Sequence, residues 1–388
     1  MTGHEMIVVV GAGVIGLSTA LLIQENLTSQ QSLLLVAKEF PWNSSINYAS
    51  PWAGAHYRPV PGSSPQALRE AGQAKRTFEH LRSLAVTEPA AGIQMLQGVE
   101  HLEVPPVEYM DAQSVRNVYS HLPNFRYLSQ NELPAGVKWG VTYGTYVVNS
   151  PVYCAYMLRK FILKGGFTRQ YTLMNIREAF ALADNVKTVV NCSGSGFDDP
   201  KSFIIRGTSA VVFALELDSE ALLEDCTPPF PFQKKIQLLT LKKGQTCLVR
   251  NPVSATITRQ GRDGSWSFCI PRPLDGGTVI GGTKQPHDWD PNPSPETRAQ
   301  LLANAAQWFP FTPESGRQFD VIEDIVGRRP AREGGMRIEV ETLETGKNIV
   351  HAYGAGGRGF ELSRGVAEDA TALMFEKGLL AARTKPSL

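Results

Sequence analysis

Ile7-Val8-Val9-Val10-Gly11-Ala12-Gly13-Val14-Ile15-Gly16-Leu17-Ser18-Thr19-Ala20-Leu21-Leu22-Ile23 is the stretch that decides the fold. The β-branched run at 7–10 reads as a buried strand, the glycines as a tight turn and 17–23 as a helix. A second apolar run over 33–37 ends in Lys38-Glu39 and completes a strand–helix–strand unit. The glycines have three tasks: a tight turn, close approach of a pyrophosphate to the backbone, and packing of the helix on the strand. The helix N-terminus then turns free N–H groups toward the phosphates. Glu39 lies 23 residues after Gly16, where a carboxylate can accept from a ribose hydroxyl. Residues 6–23 carry no charge, but the glycines interrupt them and His4-Glu5 stands where a leader would be basic. They therefore read as strand, turn and helix, and no membrane segment is expected.

Composition narrows the class. The chain has 388 residues, 42% hydrophobic and 19% charged, which excludes a disordered protein. Lys+Arg is 38 against Asp+Glu 37, so the basic excess that nucleic-acid binding needs is absent. At about 150 residues per domain, the length suggests two domains or one large enzyme fold. Cys154, Cys192, Cys226, Cys247 and Cys269 are widely spaced, with no C-x-x-C pair. They read as buried free thiols, with neither a disulfide framework nor a metal site.

Further along, residues 65–83 and 296–308 have helical spacing, and 152–164 reads as another helix. Residues 186–192 read as a buried strand leading into Ser193-Gly194, and 268–271 with 278–283 as a hairpin. A strand at 349–353 precedes a second glycine loop, Gly354-Ala355-Gly356-Gly357-Arg358-Gly359, and 368–376 a closing helix. Two glycine loops at opposite ends of the chain imply a discontinuous nucleotide domain with a second domain inserted into it.

At these motifs the chain resembles the flavin-dependent D-amino acid oxidases and their relatives, the D-aspartate oxidases. The matching stretches are residues 9–20, Ala49-Ser50-Pro51-Trp52-Ala53-Gly54-Ala55, Val190-Asn191-Cys192-Ser193-Gly194, Ile270-Pro271-Arg272-Pro273, Gly327-Arg328-Arg329-Pro330-Ala331-Arg332, and 351–359. The resemblance implies an α/β fold. A Rossmann-like FAD-binding domain (1–50, 151–200 and 321–388) carries an inserted α+β substrate domain (51–150 and 201–320) on a mostly antiparallel sheet.

The implied reaction is hydride transfer from the α-carbon of a D-amino acid to FAD, with molecular oxygen as the second substrate. The products are an imino acid, which hydrolyses to a 2-oxo acid and ammonia, and hydrogen peroxide. Arg329 matches the family's carboxylate-gripping arginine, a role suited to a forked, permanently charged guanidinium. Arg329, Phe268 and Gly357 form the expected catalytic set. Gly11, Gly13, Val14, Ile15, Gly16 and Glu39 are expected to hold the adenosine and pyrophosphate of FAD. Ser44, Ser45, Ala53, Gly54, Ala55, Ser193 and Gly194 should pass beside the cofactor. Gly356, Gly357, Arg358, Gly359, Phe360 and Glu361 should wrap the flavin, with Arg329 at its edge. A homodimer is expected from the relatives. The terminal Leu388 is a degenerate peroxisomal signal, with the cytosol as the alternative address.

The chain departs from that pattern in three places. Phe268 stands where the family places a tyrosine, so a hydroxyl is missing unless Tyr48, Tyr57 or Tyr353 replaces it. Arg364 stands where a tryptophan is usual; with His56, Arg58 and Arg358 it could favour an acidic side chain such as that of D-aspartate. Residues 208–244 read as an insertion, either a retained intron translated in frame or a genuine surface loop. Neutral D-amino acids are the leading expectation, acidic ones the second, and flavin binding without turnover the third.

Overall fold

The structure is a computed structural model that describes residues 4–206, 242–243, 245–282, 285–286, 292–310 and 318–380. The first half of the chain contains β1 (Glu5–Val10), α1 (Val14–Gln24), β2 (Gln31–Ala37), β3 (Ala55–His56), α2 (Pro65–Thr87) and β4 (Ile93–Leu102). Then come α3 (Val107–Met110), α4 (Ala112–Tyr119), β5 (Arg126–Tyr127), β6 (Trp139–Val148), α5 (Ser150–Leu163), β7 (Phe167–Gln170), β8 (Val186–Asn191) and β9 (Ser202–Arg206). The second half has β10 (Lys242–Lys243), β11 (Gln245–Val249), β12 (Ala255–Gln260), β13 (Trp266–Pro271), β14 (Thr278–Gly281), β15 (Gln285–Pro286) and α6 (Pro295–Trp308). It closes with β16 (Val321–Val326), β17 (Arg328–Arg332), β18 (Arg337–Thr342), β19 (Asn348–Tyr353) and α7 (Gly359–Glu376).

Six strands form the first sheet, in the order β18-β19-β8-β1-β2-β7. β1 runs parallel to both β2 and β8, and its last four residues are buried. A strand covered on both faces must be apolar throughout, which is why 7–10 reads as an unbroken run. The chain passes from β1 to β2 on one side and returns to β8 on the other. A crevice therefore opens beyond the carboxyl ends of these strands, where open α/β sheets bind ligands. Gly11 follows β1, Cys192 follows β8 and Gly354 follows β19, so three turns meet at that edge.

The second sheet is mostly antiparallel, in the order β16-β11-β14-β13-β12-β4-β6-β3, with β5 beside β6. β4 pairs with β6 over ten residues, Ile93 with Val148 through Leu102 with Trp139. Phe268, Ile270, Val279, Leu248 and Ile325 form a small core on it, with Trp52 packed against them. The hairpin expected at 268–283 is β13 and β14, paired antiparallel.

Two expectations are corrected. The second glycine loop does not run to Gly359: a short turn over Gly356–Arg358 leads into α7, which begins at Gly359. Gly359 takes ordinary helical angles, and a Cβ on it would stand 3.3 Å from Val14 Cγ1. It is there for close packing against α1, not to stop a helix. The family resemblance leads the strand at 203–207 almost directly into 245–249, but the two segments lie in different sheets. β9 pairs with β17, whereas β11 pairs with β14 and β16 in the second sheet. Most of 208–244, Cys226 and the C-terminal signal lie outside the described residues. The other four cysteines are buried and free.

Candidate active site

Two adjoining chambers open in the crevice. The larger, about 840 Å³, lies against the Gly13–Ile15 turn, Ser50, Gly194 and the Gly354–Gly357 turn. The smaller, about 570 Å³, lies over the second sheet against His56, Arg58, Thr258, Trp266 and Phe268. Ala53, Arg329, Gly357 and Phe360 line both, so the chambers meet at Arg329.

The first chamber fits an extended dinucleotide. Gly11 has φ +106°, and a Cβ on it would lie 2.3 Å from the Cys192 carbonyl oxygen. On Gly16 the Cβ would fall 1.8 Å from the Gly11 carbonyl oxygen, so the helix can follow the turn this closely only with glycine. Gly13 caps α1 without a side-chain hydrogen bond, and no acid occupies the first turn. The positive end of the helix therefore faces the chamber without a competing carboxylate. Ser50 Oγ accepts from the Val14 N–H at 2.9 Å and fixes one wall. Tyr48 donates to the Ala12 carbonyl at 2.6 Å and buttresses the turn from behind.

The second chamber is built around two guanidiniums of different character. Arg329, on β17, pairs with no carboxylate among the described residues and is partly exposed, lining both chambers. Burial without a compensating acid pulls its pKa down to about 10, so it is still charged at neutral pH. An unpaired cation in such a place has its binding capacity open for an anion.

Arg58 is only 2% exposed and forms an ion pair with Glu100 at 2.5 Å. Burial pulls its pKa down, but Tyr109, Glu100, Tyr119 and Glu361 more than offset this and hold it above the usual arginine value. Its guanidinium carbon lies 4.8 Å from the Trp266 ring centre. Arg58 Nη2 is buried and has no hydrogen-bond partner among the described residues. His56 bonds through Nδ1 to Thr256 Oγ1 at 2.7 Å, and burial together with the Arg58 charge pushes its pKa down to about 3. His56 is therefore neutral at physiological pH. Glu361 is the one carboxylate of a described residue lining this chamber. Its Oε2 accepts from Arg358 at 2.8 Å and its Oε1 from the Arg58 backbone N–H at 3.3 Å, so it is already committed.

Most of the site residues expected from sequence meet here. Gly13, Val14, Ile15, Ala53, Gly194, Arg329, Gly356, Gly357, Gly359 and Phe360 line the larger chamber. Gly54, Ala55, Phe268 and Glu361 line the smaller one. Gly11 and Gly16 shape the turn from beneath. Glu39, Ser44, Ser45 and Ser193 line neither chamber; Ser193 instead donates to Asn191 Oδ1 at 2.7 Å.

Arg358 and Arg364 also line neither chamber, which corrects the wider basic pocket. Arg358 is paired with Glu70 at 2.5 Å and Glu361 at 2.8 Å, and Arg364 with Glu368 at 2.8 Å. Only His56 and Arg58 of that set line the smaller chamber. No tyrosine replaces the hydroxyl missing at Phe268. Tyr48 is spent on Ala12, Tyr353 donates to Asp199 at 2.7 Å, and Tyr57 is 1% exposed and stacks between Phe78 and Tyr146. Thr258 is the side-chain hydroxyl in the chamber. Sequence reasoning missed Thr258, Trp266 and Glu100, none of which lies in a motif, and assigned no role to Ser50 within its matching stretch.

The FAD dependent oxidoreductase (DAO) family model matches residues 6–373. The chain is 41% identical over 387 residues to a D-aspartate oxidase of Talaromyces thermophilus, covering 95% of this chain and 94% of that one. It is 29% identical to a D-amino-acid oxidase of Schizosaccharomyces pombe, covering 97% of each. In fold it is similar to a glycine oxidase of Bacillus cereus, with a TM-score of 0.64, 17% identity, 98% of this chain and 99% of that one covered. A glycerophosphate oxidase of Mycoplasma pneumoniae, solved with FAD bound, gives a TM-score of 0.63 at 13% identity and covers 99% of this chain and 97% of that one.

Proposed function

Because the chain belongs to the FAD dependent oxidoreductase family, we propose that it oxidises D-amino acids, favouring those whose side chain ends in a carboxylate. The supporting observation is Arg58, which lines the same chamber as Arg329 and whose buried Nη2 has no hydrogen-bond partner among the described residues. FAD supplies the acceptor for the hydride that leaves the substrate α-carbon, and oxygen takes the electrons on as hydrogen peroxide.

The residues of this chain bind and orient. Arg329 takes the α-carboxylate as a two-pronged donor. Phe268 supplies a ring edge where a hydroxyl would add a further bond. Arg58 Nη2 receives the side-chain carboxylate, and neutral His56 lines the chamber beside it without adding charge. Glu361 is too committed to Arg358 to take a proton from the substrate. On this reading the α-hydrogen would leave as hydride to the bound FAD, and the residues of this chain contribute by binding and aligning the substrate. Hydrolysis of the imino acid then gives the 2-oxo acid and ammonia.

Steady-state peroxide release tests this reading. D-aspartate is expected to exceed D-alanine in kcat/KM, and Arg58→Met to remove that advantage. Equal values for the two substrates would refute the acidic preference, and no turnover of any D-amino acid would refute the reaction. Peroxide release also suits a compartment holding catalase, so we assign the protein to the peroxisome; cofractionation with catalase checks this.

A further inference from the structure

Arg58 is held by a fixed set of partners. Glu100 Oε1 lies 2.5 Å from Arg58 Nη1, and Tyr109 accepts from the same nitrogen at 3.0 Å. Tyr109 also donates to Glu100 Oε1 at 3.2 Å, and Tyr119 donates to Oε2 at 2.7 Å. Glu100, on β4, is fully buried and lies outside both chambers, so it cannot touch a substrate. Both of its oxygens are occupied, and two tyrosines stop it from swinging away.

We propose that Glu100 is a positioning residue that sets side-chain charge selection by neutralising Arg58 from behind. The proposal rests on the assignment of the substrate side chain to Arg58. Among the described residues the chamber holds two guanidiniums, of which Arg58 has an acidic partner and Arg329 has none. The Arg58–Glu100 pair is electrically near neutral, so Nη2 offers a directed N–H more than a free unit charge. A side-chain carboxylate can take that N–H, and an amide carbonyl of the same shape can take it nearly as well. On this account the protein accepts D-asparagine alongside D-aspartate, and Glu100 keeps the acid from being bound too strongly to leave as product.

D-aspartate and D-asparagine are nearly isosteric and differ in side-chain charge, so their kcat/KM ratio reads charge selection. Damage to the fold would lower both and leave the ratio unmoved. Glu100→Gln preserves an acceptor for Arg58 while removing the negative charge. It is expected to raise the aspartate-to-asparagine ratio about tenfold or more, mainly by lowering the KM for D-aspartate. An unchanged or lowered ratio in a variant that retains its flavin bands and cooperative unfolding overturns the proposal.

Wild-type protein gives a second check that needs no variant. Its aspartate-to-asparagine ratio is expected within about tenfold, and a ratio above about a thousandfold would mean that Arg58 acts as an uncompensated cation and would overturn the proposal. Arg58→Met separates this failure from that of the underlying reading. If it leaves the aspartate-to-alanine ratio at the wild-type value, the side chain does not dock on Arg58 at all. If it lowers that ratio while Glu100→Gln changes nothing, only the role of Glu100 is lost.

Discussion

Replacing Arg329 with methionine should cost activity and gain stability. Arg329 would hold the α-carboxylate through two charge-assisted hydrogen bonds, each contributing roughly 1.5–3 kcal/mol. Losing both should remove about 3–5 kcal/mol of transition-state stabilisation and lower kcat/KM by roughly 10²–10⁴-fold on every D-amino acid.

The stability effect has the opposite sign. Burial pulls the Arg329 pKa from 12.5 to about 10, so folding disfavours its charged form. That penalty is fully present below pH 10 and fades as pH rises from about 10 to 12.5. At neutral pH, allowing for partial exposure, it is about 2–3 kcal/mol. Arg329→Met removes it, and for a chain of this length the melting temperature should rise by roughly 2–4 °C. Peroxide release and thermal unfolding of the flavin-loaded protein measure the two effects. A tenfold or smaller loss of kcat/KM, or a lower melting temperature, would show that Arg329 serves the fold and not the substrate.

Other perturbations follow from the same geometry. Phe268→Tyr restores a hydroxyl to the chamber and should lower KM for D-amino acids about 3–10-fold; an unchanged KM would place the ring away from the carboxylate. Gly16→Ala puts a Cβ 1.8 Å from the Gly11 carbonyl oxygen, so the purified variant should lack flavin absorbance, and a yellow Gly16→Ala protein would contradict the packing argument. Burial pushes the Asp199 carboxyl up, but Tyr353 and Arg332 outweigh that and hold it at about 2, below the ordinary 3.8. Its contribution is present above pH 4 and lost as pH falls toward 2, so Asp199→Asn should cost about 2 kcal/mol at pH 7 and much less at pH 2. Urea midpoints at the two pH values check this, and a pH-independent gap would rule it out.

Local and long-range features were not equally legible in the sequence. β1, the glycine turn, α1 and β2 could be read because a strand buried on both faces must be apolar and the turn tolerates no Cβ. Arg329 could be read because its Gly-x-Arg-Pro setting carries the family resemblance. The second glycine loop reads too long because α7 already begins at Gly359, whose missing Cβ allows close approach to Val14. Arg364 misled because the closing helix is legible in the sequence only from 368, whereas α7 begins at Gly359 and sets Arg364 and Glu368 one turn apart as a pair. The Arg58–Glu100 pair joins residues 42 apart, from the segment after β3 to β4, and only the folding of the second sheet brings them together. Ser50 and Thr258 owe their places in the site to the same kind of long-range contact.

The most direct test of the central claim is the absorption spectrum of the purified protein, recorded anaerobically as D-aspartate and then D-alanine are added. The account predicts flavin bands that bleach completely with D-aspartate and more slowly with D-alanine. Bands that neither substrate bleaches, or a protein without flavin absorbance, would contradict it.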